Sequence, residues 1–335
     1  MTKTIRRMVE TDERLLYDLY RFRILTKDQI ERLYFEGSKW YTYHKMYIMK
    51  NSGYVNSKII MRRKPQGKER TAIYFITDKG IRELKERGWT DEDVEAKDLQ
   101  IERQNMEGYL EFNDLYVELR DHGYTFIDSR TLKKKYQMER GDLCKGAMIT
   151  PDGTEFLVYI LRNGAKEQTL RRVLKETNRS YEHMTRRNNL VLFRGSDSFE
   201  LFQNLHLETV NLDGTNILDS IYALPYTYAI NLFKGLKTEQ DYVNLFSKYG
   251  SVYRNSEETI EKHKRYLINQ DGKEKYAINL LMNDLTLIDR IKRERWDRHV
   301  VLFVFTDFVD EVTERLKGVR QVEITEITDR ELMTC

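Results

Sequence analysis

The pattern of apolar positions at the start of the chain predicts short helices, each with its own cap. Leu15, Leu16, Leu19 and Phe22 recur with the period of a helix. The next segment, Thr26-Lys27-Asp28-Gln29, has the form of a capping box. In that motif the Thr hydroxyl accepts from a first-turn N–H and the Gln side chain reaches back. A second, short helix is therefore expected directly after the first.

A third helix and a hairpin are predicted next. The helix runs from Lys39 to about Lys50 and ends at Asn51-Ser52-Gly53. Two β-like runs, Tyr54 to Met61 and Thr71 to Ile76, then precede a helix that Thr77-Asp78 begins and that reaches Gly88. This order of three helices, a hairpin and a closing helix predicts a winged helix-turn-helix over residues 1–89.

The charge of this region indicates a polyanionic partner. Residues 1–89 carry 21 Lys+Arg against 11 Asp+Glu, whereas the rest of the chain is net acidic. Residues 58–70, at the hairpin, hold six basic side chains and one acidic one. Such a tip suits contact with phosphates and the minor groove of double-stranded DNA. Winged helices that bind proteins are the alternative.

Candidate DNA-binding residues follow from the expected facing of the third helix. Met46 and Met49 are assigned to the core, which turns Tyr41 and Lys45 outward, and Tyr43 is also expected to be buried. The predicted set combines the early, outward part of this helix with the basic hairpin. It consists of Lys39, Tyr41, Thr42, Lys45, Arg62, Arg63, Lys64, Lys68 and Arg70.

Residues 90–122 are predicted to form an acidic linker and a helix. Residues 91–118 contain ten acids and only two bases. One interpretation is a solvated linker with a solvated helix face. The other is a helix that docks a partner or a second copy of the chain, giving a homodimer.

The remainder predicts an α/β body. Strands are expected at Leu132–Gln137, Glu155–Leu161, Leu190–Phe193 and near Leu207–Leu212, with helices between them. A similar series recurs later, where Tyr276 to Leu281 resembles Phe156 to Leu161 and Val300 to Phe303 resembles Leu190 to Phe193. The predicted division is a lobe at 123–213, a helical connector at 214–273 and a second lobe at 274–335, an internal repeat of the first.

Common catalytic and cofactor motifs do not occur in the sequence. The six histidines include no H-x-H or H-E-x-x-H pair, and no phosphate-binding G-x-x-x-x-G-K-[ST] loop is present. We therefore predict neither a metal site nor a cofactor. Two cysteines and the lack of a signal peptide or a long apolar run favour a cytoplasmic protein without a membrane partner.

One pair of carboxylates is a candidate nuclease site. Metal-dependent endonucleases place an acid before a hairpin and an acid-x-lysine on the following strand, and Asp142 stands where the first acid should. The next strand offers only Glu155 at its edge, with Leu157 in the place of the lysine. The pattern thus predicts a degenerate, inactive site.

The chain resembles the replication-relaxation family of plasmids and integrative elements of Gram-positive bacteria. The resemblance rests on Tyr74-Phe75-Ile76-Thr77-Asp78-Lys79-Gly80, on Asn113-Asp114-Leu115-Tyr116 and on Gly141-Asp142 before a two-strand unit, and covers about residues 10–190. It implies a role in plasmid replication or DNA relaxation and a restriction-endonuclease-like second domain. Family members tend to carry an acidic pair where this sequence has Val158-Tyr159-Ile160. Inherited cleavage is therefore not expected.

Together these observations predict an α/β (α+β) protein that is not an enzyme. The expected function is sequence-specific DNA binding in replication initiation or in DNA relaxation and transfer, with replication or conjugation proteins as partners. One alternative is a transcriptional regulator whose body senses a ligand or partner. The other is a metal-dependent nuclease or nickase.

Overall fold

The chain forms two structural units, with the boundary after Glu118, and each unit contains both helices and strands. The computed structural model describes residues 4, 7–64, 67–179, 187–213, 220–256 and 262–332, without the side chains of 63, 64, 211–213 and 262. The units are Met1–Glu118 and Leu119–Cys335. The predicted α+β class is confirmed. No helix in the described ranges is long and apolar enough to cross a membrane.

The first unit packs five helices around a small antiparallel sheet of order β1-β3-β2. Its elements are α1 (Glu10–Phe22), β1 (Leu25–Thr26), α2 (Lys27–Tyr34), α3 (Lys39–Asn51), β2 (Val55–Lys64), β3 (Gly67–Ile76), α4 (Asp78–Glu86) and α5 (Met106–Leu119). This order confirms the predicted helices and hairpin.

Local capping explains two of these helix starts. The Thr26 hydroxyl accepts from the Gln29 N–H at 3.1 Å, and the Gln29 side chain accepts from the Thr26 N–H at 2.8 Å. The predicted capping box is therefore present. Thr77 caps α4 in a simpler way, since its hydroxyl accepts from the Gly80 N–H at 3.2 Å. In both cases the side chain satisfies a first-turn donor that has no partner within the helix.

The acidic segment after α4 is part of the first unit. On α5, Met106 and Leu110 are buried against Ile24 and Ile73. The Asn113 side chain donates to the Ile24 carbonyl at 2.5 Å. The α5 face that looks toward the sheet is thus core rather than a solvated surface.

Acidic side chains of this segment also form a hydrogen bond and an ion pair with side chains of the preceding helices. Tyr20 donates to Glu92 at 2.7 Å, and Arg32 pairs with Glu118 at 2.6 Å. The basic excess predicted for residues 1–89 is therefore partly neutralised within the unit.

The second unit contains two five-stranded sheets. The elements of its first half are β4 (Thr125–Asp128), α6 (Ser129–Lys135), β5 (Gly146–Ile149), β6 (Glu155–Leu161), α7 (Glu167–Thr177), β7 (Asn188–Phe193), α8 (Ser196–Asp213) and β8 (Ser220–Pro225). Those of its second half are α9 (Tyr226–Gly235), α10 (Glu239–Phe246), β9 (Ser251–Arg254), β10 (Tyr266–Gln270), β11 (Lys273–Asn279), α11 (Leu285–Arg293), β12 (Val300–Phe305), α12 (Val309–Arg315), β13 (Val322–Ile327) and α13 (Asp329–Leu332).

The two sheets share one topology. In the first, β4, β5 and β6 are antiparallel neighbours, and β6, β7 and β8 are parallel. In the second, β9, β10 and β11 are antiparallel, and β11, β12 and β13 are parallel. Helices join the parallel strands in both sheets, as parallel pairing requires. The segments that resemble each other in sequence, in β6 and β11 and in β7 and β12, occupy equivalent positions.

Three expectations for this unit were wrong. Leu132–Gln137 is not a strand, because Asp128 accepts from the N–H groups of Arg130 and Thr131 at 3.0 and 3.1 Å and so starts α6. Leu207–Leu212 lies inside α8 rather than in a strand. The supposed helical connector at 214–273 contains β8, β9 and β10 as well as helices. β8 and β9 pair with strands that lie farther away in sequence, which periodicity does not reveal. β10 and β11, by contrast, form a hairpin whose two-residue turn, Asp271-Gly272, was a local signal that sequence reasoning missed.

A buried polar cluster joins α8, α11 and α12. The Asp289 carboxylate receives His206 Nε2 at 3.0 Å on one oxygen and Arg315 at 3.0 Å on the other. Burial disfavours its charged form, but the hydrogen bond from His206 and the charge of Arg315 outweigh that effect. The pKa of Asp289 is therefore lowered. When Asp289 is ionised, the cluster therefore stabilises the packing of α8, α11 and α12.

Candidate nucleic-acid interface

The solvent-facing side of α3 is aromatic. Trp40 is 75% exposed, Tyr43 63% and Tyr47 49%, while Met46 and Met49 are fully buried on the other side. These three rings, which we name the aromatic stripe, fall at i, i+3 and i+7 and so line one side of the helix. Trp40 also stacks on His44, with the ring centroids 5.4 Å apart. The stripe thus leaves three aromatic side chains about half or more exposed, with His44 against one face of Trp40.

The β2–β3 hairpin has one covered face and one open face. Neighbouring residues of a strand point to opposite faces, and directly paired residues share a face. Ile60, Phe75 and Ile73 lie on the covered face, against α5. The other face is buried at its base, at Val55, Tyr74 and Ile76. Its part toward the hairpin tip, which we call the open face, carries Ser57, Ile59, Met61, Lys68, Arg70 and Ala72. Ile59 and Met61 are 63% and 54% exposed there.

The aromatic stripe and the open face adjoin. Lys50, at the end of α3, donates to the Ser57 hydroxyl of β2 at 2.8 Å. Burial, and then the proximity of Tyr43, raise the pKa of Tyr74, which shares the hairpin face with Ser57. The helix and the hairpin therefore present one continuous surface.

The charge on this surface has a single sign. Lys39 and Lys50 lie exposed near the two ends of the stripe, and Lys68 and Arg70 lie exposed on the open face. The sequence of α3 contains no acid, and Glu69, the one acid of the hairpin strands, lies on the covered face opposite Arg62. Within the described residues, the surface thus combines cations and apolar groups without a carboxylate of its own.

Two of the predicted helix residues lie away from this surface. Thr42 is fully buried, and its hydroxyl donates to the Ser38 carbonyl at 2.9 Å. Lys45 points into the unit, where its Nζ lies 2.7 and 2.9 Å from the two oxygens of buried Asp12. Neither side chain is positioned to meet a ligand: Met46 and Met49 face the core as predicted, but Thr42 lies on that same side and Lys45 lies at its edge. Placing Tyr43 in the core was also wrong, because its side chain lies away from Met46 and Met49.

The other predicted helix residues are accessible. Lys39 is exposed beside the aromatic stripe. Tyr41 is 46% exposed, and its ring packs edge-on against Phe35 at 5.2 Å. Tyr41 therefore lies at the margin of the surface rather than at its centre.

The predicted hairpin residues separate into three groups. Lys68 and Arg70 are exposed on the open face. Arg62 is buried on the covered face and pairs with Asp114 of α5. The backbone of Arg63 and Lys64 continues β2, whereas their side chains lie outside the described residues. We retain Lys39, Lys68 and Arg70 as candidates and set Arg62 aside, because its guanidinium is engaged within the fold.

Sequence reasoning missed the apolar part of the surface. Tyr43 was expected in the core, because aromatic side chains usually are buried, and Trp40, Tyr47, Ile59 and Met61 were not among the predicted binding residues. A signal was nevertheless present, because Met46 and Met49 suffice to define the buried side of α3. Projecting the helix from these two residues places all three aromatics of the stripe on the other side.

The carboxylates considered for a nuclease site have protein partners. Asp142 accepts from the Glu139 N–H at 2.9 Å and from Arg179 at 3.1 Å. Glu155 accepts from Lys135 at 2.8 Å and from Tyr136 at 2.7 Å. The positions where the resemblance led us to expect an acidic pair hold Val158, Tyr159 and Ile160, which are all buried. In the part of the chain that the structure describes, no three His, Cys, Asp or Glu side chains are grouped as metal ligands.

A second carboxylate lies close to Asp142. Glu176 of α7 is buried and accepts from the Leu143 N–H at 2.8 Å. Burial, and the nearby charge of Asp142, raise the pKa of Glu176. The backbone hydrogen bonds to both carboxylates hold the loop before β5 in place, which is a structural role.

Comparison with known proteins gives one family. The model of the family described as replication-relaxation matches residues 16–187, slightly more than half of the chain. That range includes all of α3, the hairpin and α5, and it reaches the start of β7. No curated protein and no solved structure matches the chain.

Proposed function

Because this chain belongs to the replication-relaxation family, we propose that it is a sequence-specific DNA-binding protein of a plasmid or mobile element. It would act as a non-catalytic factor in replication initiation or in DNA relaxation and transfer. The observation that carries the proposal is the surface of α3 and the hairpin, which combines four exposed cations with no carboxylate in the described residues. Phosphates are the ligands that such a surface suits best.

The first unit would bind as a winged helix-turn-helix. In that motif a bracing helix holds a recognition helix in the major groove, and a β-hairpin beside it reaches the backbone or minor groove. Here α2 would brace α3, and the β2–β3 hairpin would be the wing. Lys39 would meet the DNA from α3, and Lys68 and Arg70 would contact phosphates from the wing.

The second unit would be a scaffold of two endonuclease-like lobes that have lost their chemistry. Three antiparallel strands followed by helix-linked parallel strands, found in both of its sheets, support this reading. The engaged side chains of Asp142 and Glu155 support the loss of metal chemistry. Supercoiled plasmid incubated with the protein and Mg²⁺ or Mn²⁺ should stay intact. Nicking that copurifies with the protein and disappears in Asp142→Ala would establish a nuclease instead.

Selection of bound duplexes from a random library tests the DNA-binding proposal. A shared site should emerge, and its affinity should fall steeply with salt because phosphate contacts release counterions. Repeats of that site inside a replication origin would favour an origin factor. A site in the protein's own promoter, with derepression of a reporter, would favour a transcriptional regulator. Failure to enrich any sequence, with no duplex binding at low salt, would refute the proposal.

A further inference from the structure

The aromatic stripe of α3 is unusual for a surface that reads duplex DNA. Trp40, Tyr43 and Tyr47 extend over two turns of the helix, about 10 Å along its axis. The exposed fraction of each residue lies between 49% and 75%. A recognition helix reads a duplex through base edges, mainly with hydrogen-bonding side chains. Three open ring faces would find no matching surface there, because paired bases expose edges rather than faces.

The charges around the stripe identify the kind of ligand that would cover it. Lys39 and Lys50 lie near its ends, and Lys68 and Arg70 lie on the adjoining open face. Within the described residues no carboxylate accompanies them on this surface. The complementary ligand has flat apolar faces joined by an anionic backbone. A strand of DNA with unpaired bases has both properties, and aromatic rings beside cations are how proteins bind such strands.

The open face of the hairpin carries a second apolar feature next to the stripe. Ile59 and Met61 project from β2 beside Arg70, the partner of Met61 across the hairpin. Proteins that bend DNA insert such side chains between base steps and unstack them. The hairpin is therefore equipped to open base steps beside rings that can receive the bases.

We propose that the aromatic stripe binds unpaired bases by stacking, so that the protein holds a strand-separated segment of its DNA site. This inference rests on the proposed function, and it names the form of DNA that α3 prefers. A factor that starts replication or transfer must give other proteins access to single strands. The stripe would supply part of the free energy for that opening.

The test compares three probes of one sequence, taken from the selected site. They are the paired duplex, the same duplex with a central run of mismatches, and the single strand. The full chain should bind the mismatched duplex more tightly than the paired one. Trp40→Ala, Tyr43→Ala and Tyr47→Ala should each weaken binding of the mismatched and single-stranded probes by roughly 5- to 150-fold. Binding of the paired duplex should change much less.

Matched variants separate stacking from other effects. Tyr43→Phe and Tyr47→Phe keep the ring face and should retain binding. Lys50→Ala should weaken all three probes together, since it removes a cation and leaves every ring of the stripe in place. Tyr253→Ala removes an exposed ring from the second unit and should leave all affinities unchanged. Single-stranded DNA should quench tryptophan fluorescence in the wild type but not in Trp40→Phe.

Several results would overturn the inference. Equal losses on paired and unpaired probes would make the stripe a duplex-binding surface. A dimer in sedimentation that becomes a monomer in the stripe variants, with DNA affinities unchanged, would make it a protein interface. Tight binding of the paired duplex without preference for mismatches would refute this inference and leave the proposed function intact. No binding of any probe would refute both.

Discussion

Lys45 faces the interior of the first unit, whereas the sequence pattern predicts that it faces solvent. Its side chain is 17% exposed and lies 2.7 Å from the carboxylate of fully buried Asp12. At an effective dielectric constant of about 20, unit charges at that separation attract by about 6 kcal/mol, and the cost of desolvating both ions offsets much of this. Lys45→Ala removes the partner of a buried charge. Losses of about 3–5 kcal/mol follow when such a pair is fully buried, so we expect about 2–4 kcal/mol here.

Hydrogen exchange measured by mass spectrometry suits this prediction because it reports each segment of the full chain separately. Peptides from α1 and α3 should exchange faster in Lys45→Ala, while peptides from the second unit should not change. Lys50→Ala is the matched control, since it removes the same side chain from the exposed side of the same helix. Its effect should stay within about 0.5 kcal/mol. The double variant Asp12→Asn/Lys45→Met should recover part of the loss, because no buried charge then remains.

One result would refute this reasoning about α3. If Lys45→Ala keeps wild-type protection but loses roughly 1–3 kcal/mol at the preferred DNA site and less on random DNA, Lys45 reads a base. The buried pair with Asp12 would then not exist, and the outward facing predicted from sequence would be right.

Three further predictions concern charge. Lys68→Ala and Arg70→Ala should each lower the slope of log affinity against log salt by up to about 0.9, and an unchanged slope would remove the wing from the interface. Arg62→Ala should leave that slope unchanged and instead lower the unfolding temperature, because it removes the ion pair that joins buried Arg62 to Asp114 of α5; a reduced slope at normal stability would contradict this. The pKa of Asp289 is lowered on folding, so its stabilising effect is present above its ordinary pKa of 3.8 and is lost as the pH falls through the lower folded value. Asp289→Asn should therefore destabilise the protein at neutral pH and flatten the fall in stability below about pH 4, as measured by urea unfolding at a series of pH values.

Local chemistry was enough to predict much of the first unit. The capping box at Thr26 and Gln29 and the cap at Thr77 act between residues three apart, so the sequence alone determines where α2 and α4 begin. The same holds for the basic hairpin, since both strands lie close together in the chain. The sequence resemblance between β6 and β11, and between β7 and β12, was also visible before the sheets were known.

Long-range packing decided the candidate site. Arg62 looked like a DNA ligand until α5, some 50 residues further on, placed Asp114 against it. Lys45 likewise meets Asp12, a partner 33 residues away. Neither pairing leaves a local signal, because a charged side chain has the same helix and strand preferences whether its partner is solvent, a phosphate or a distant carboxylate. The exposure of the aromatic stripe was also decided by the fold: Met46 and Met49 mark the buried side of α3, but only the packing of the other elements determines that nothing in the described residues covers the opposite side.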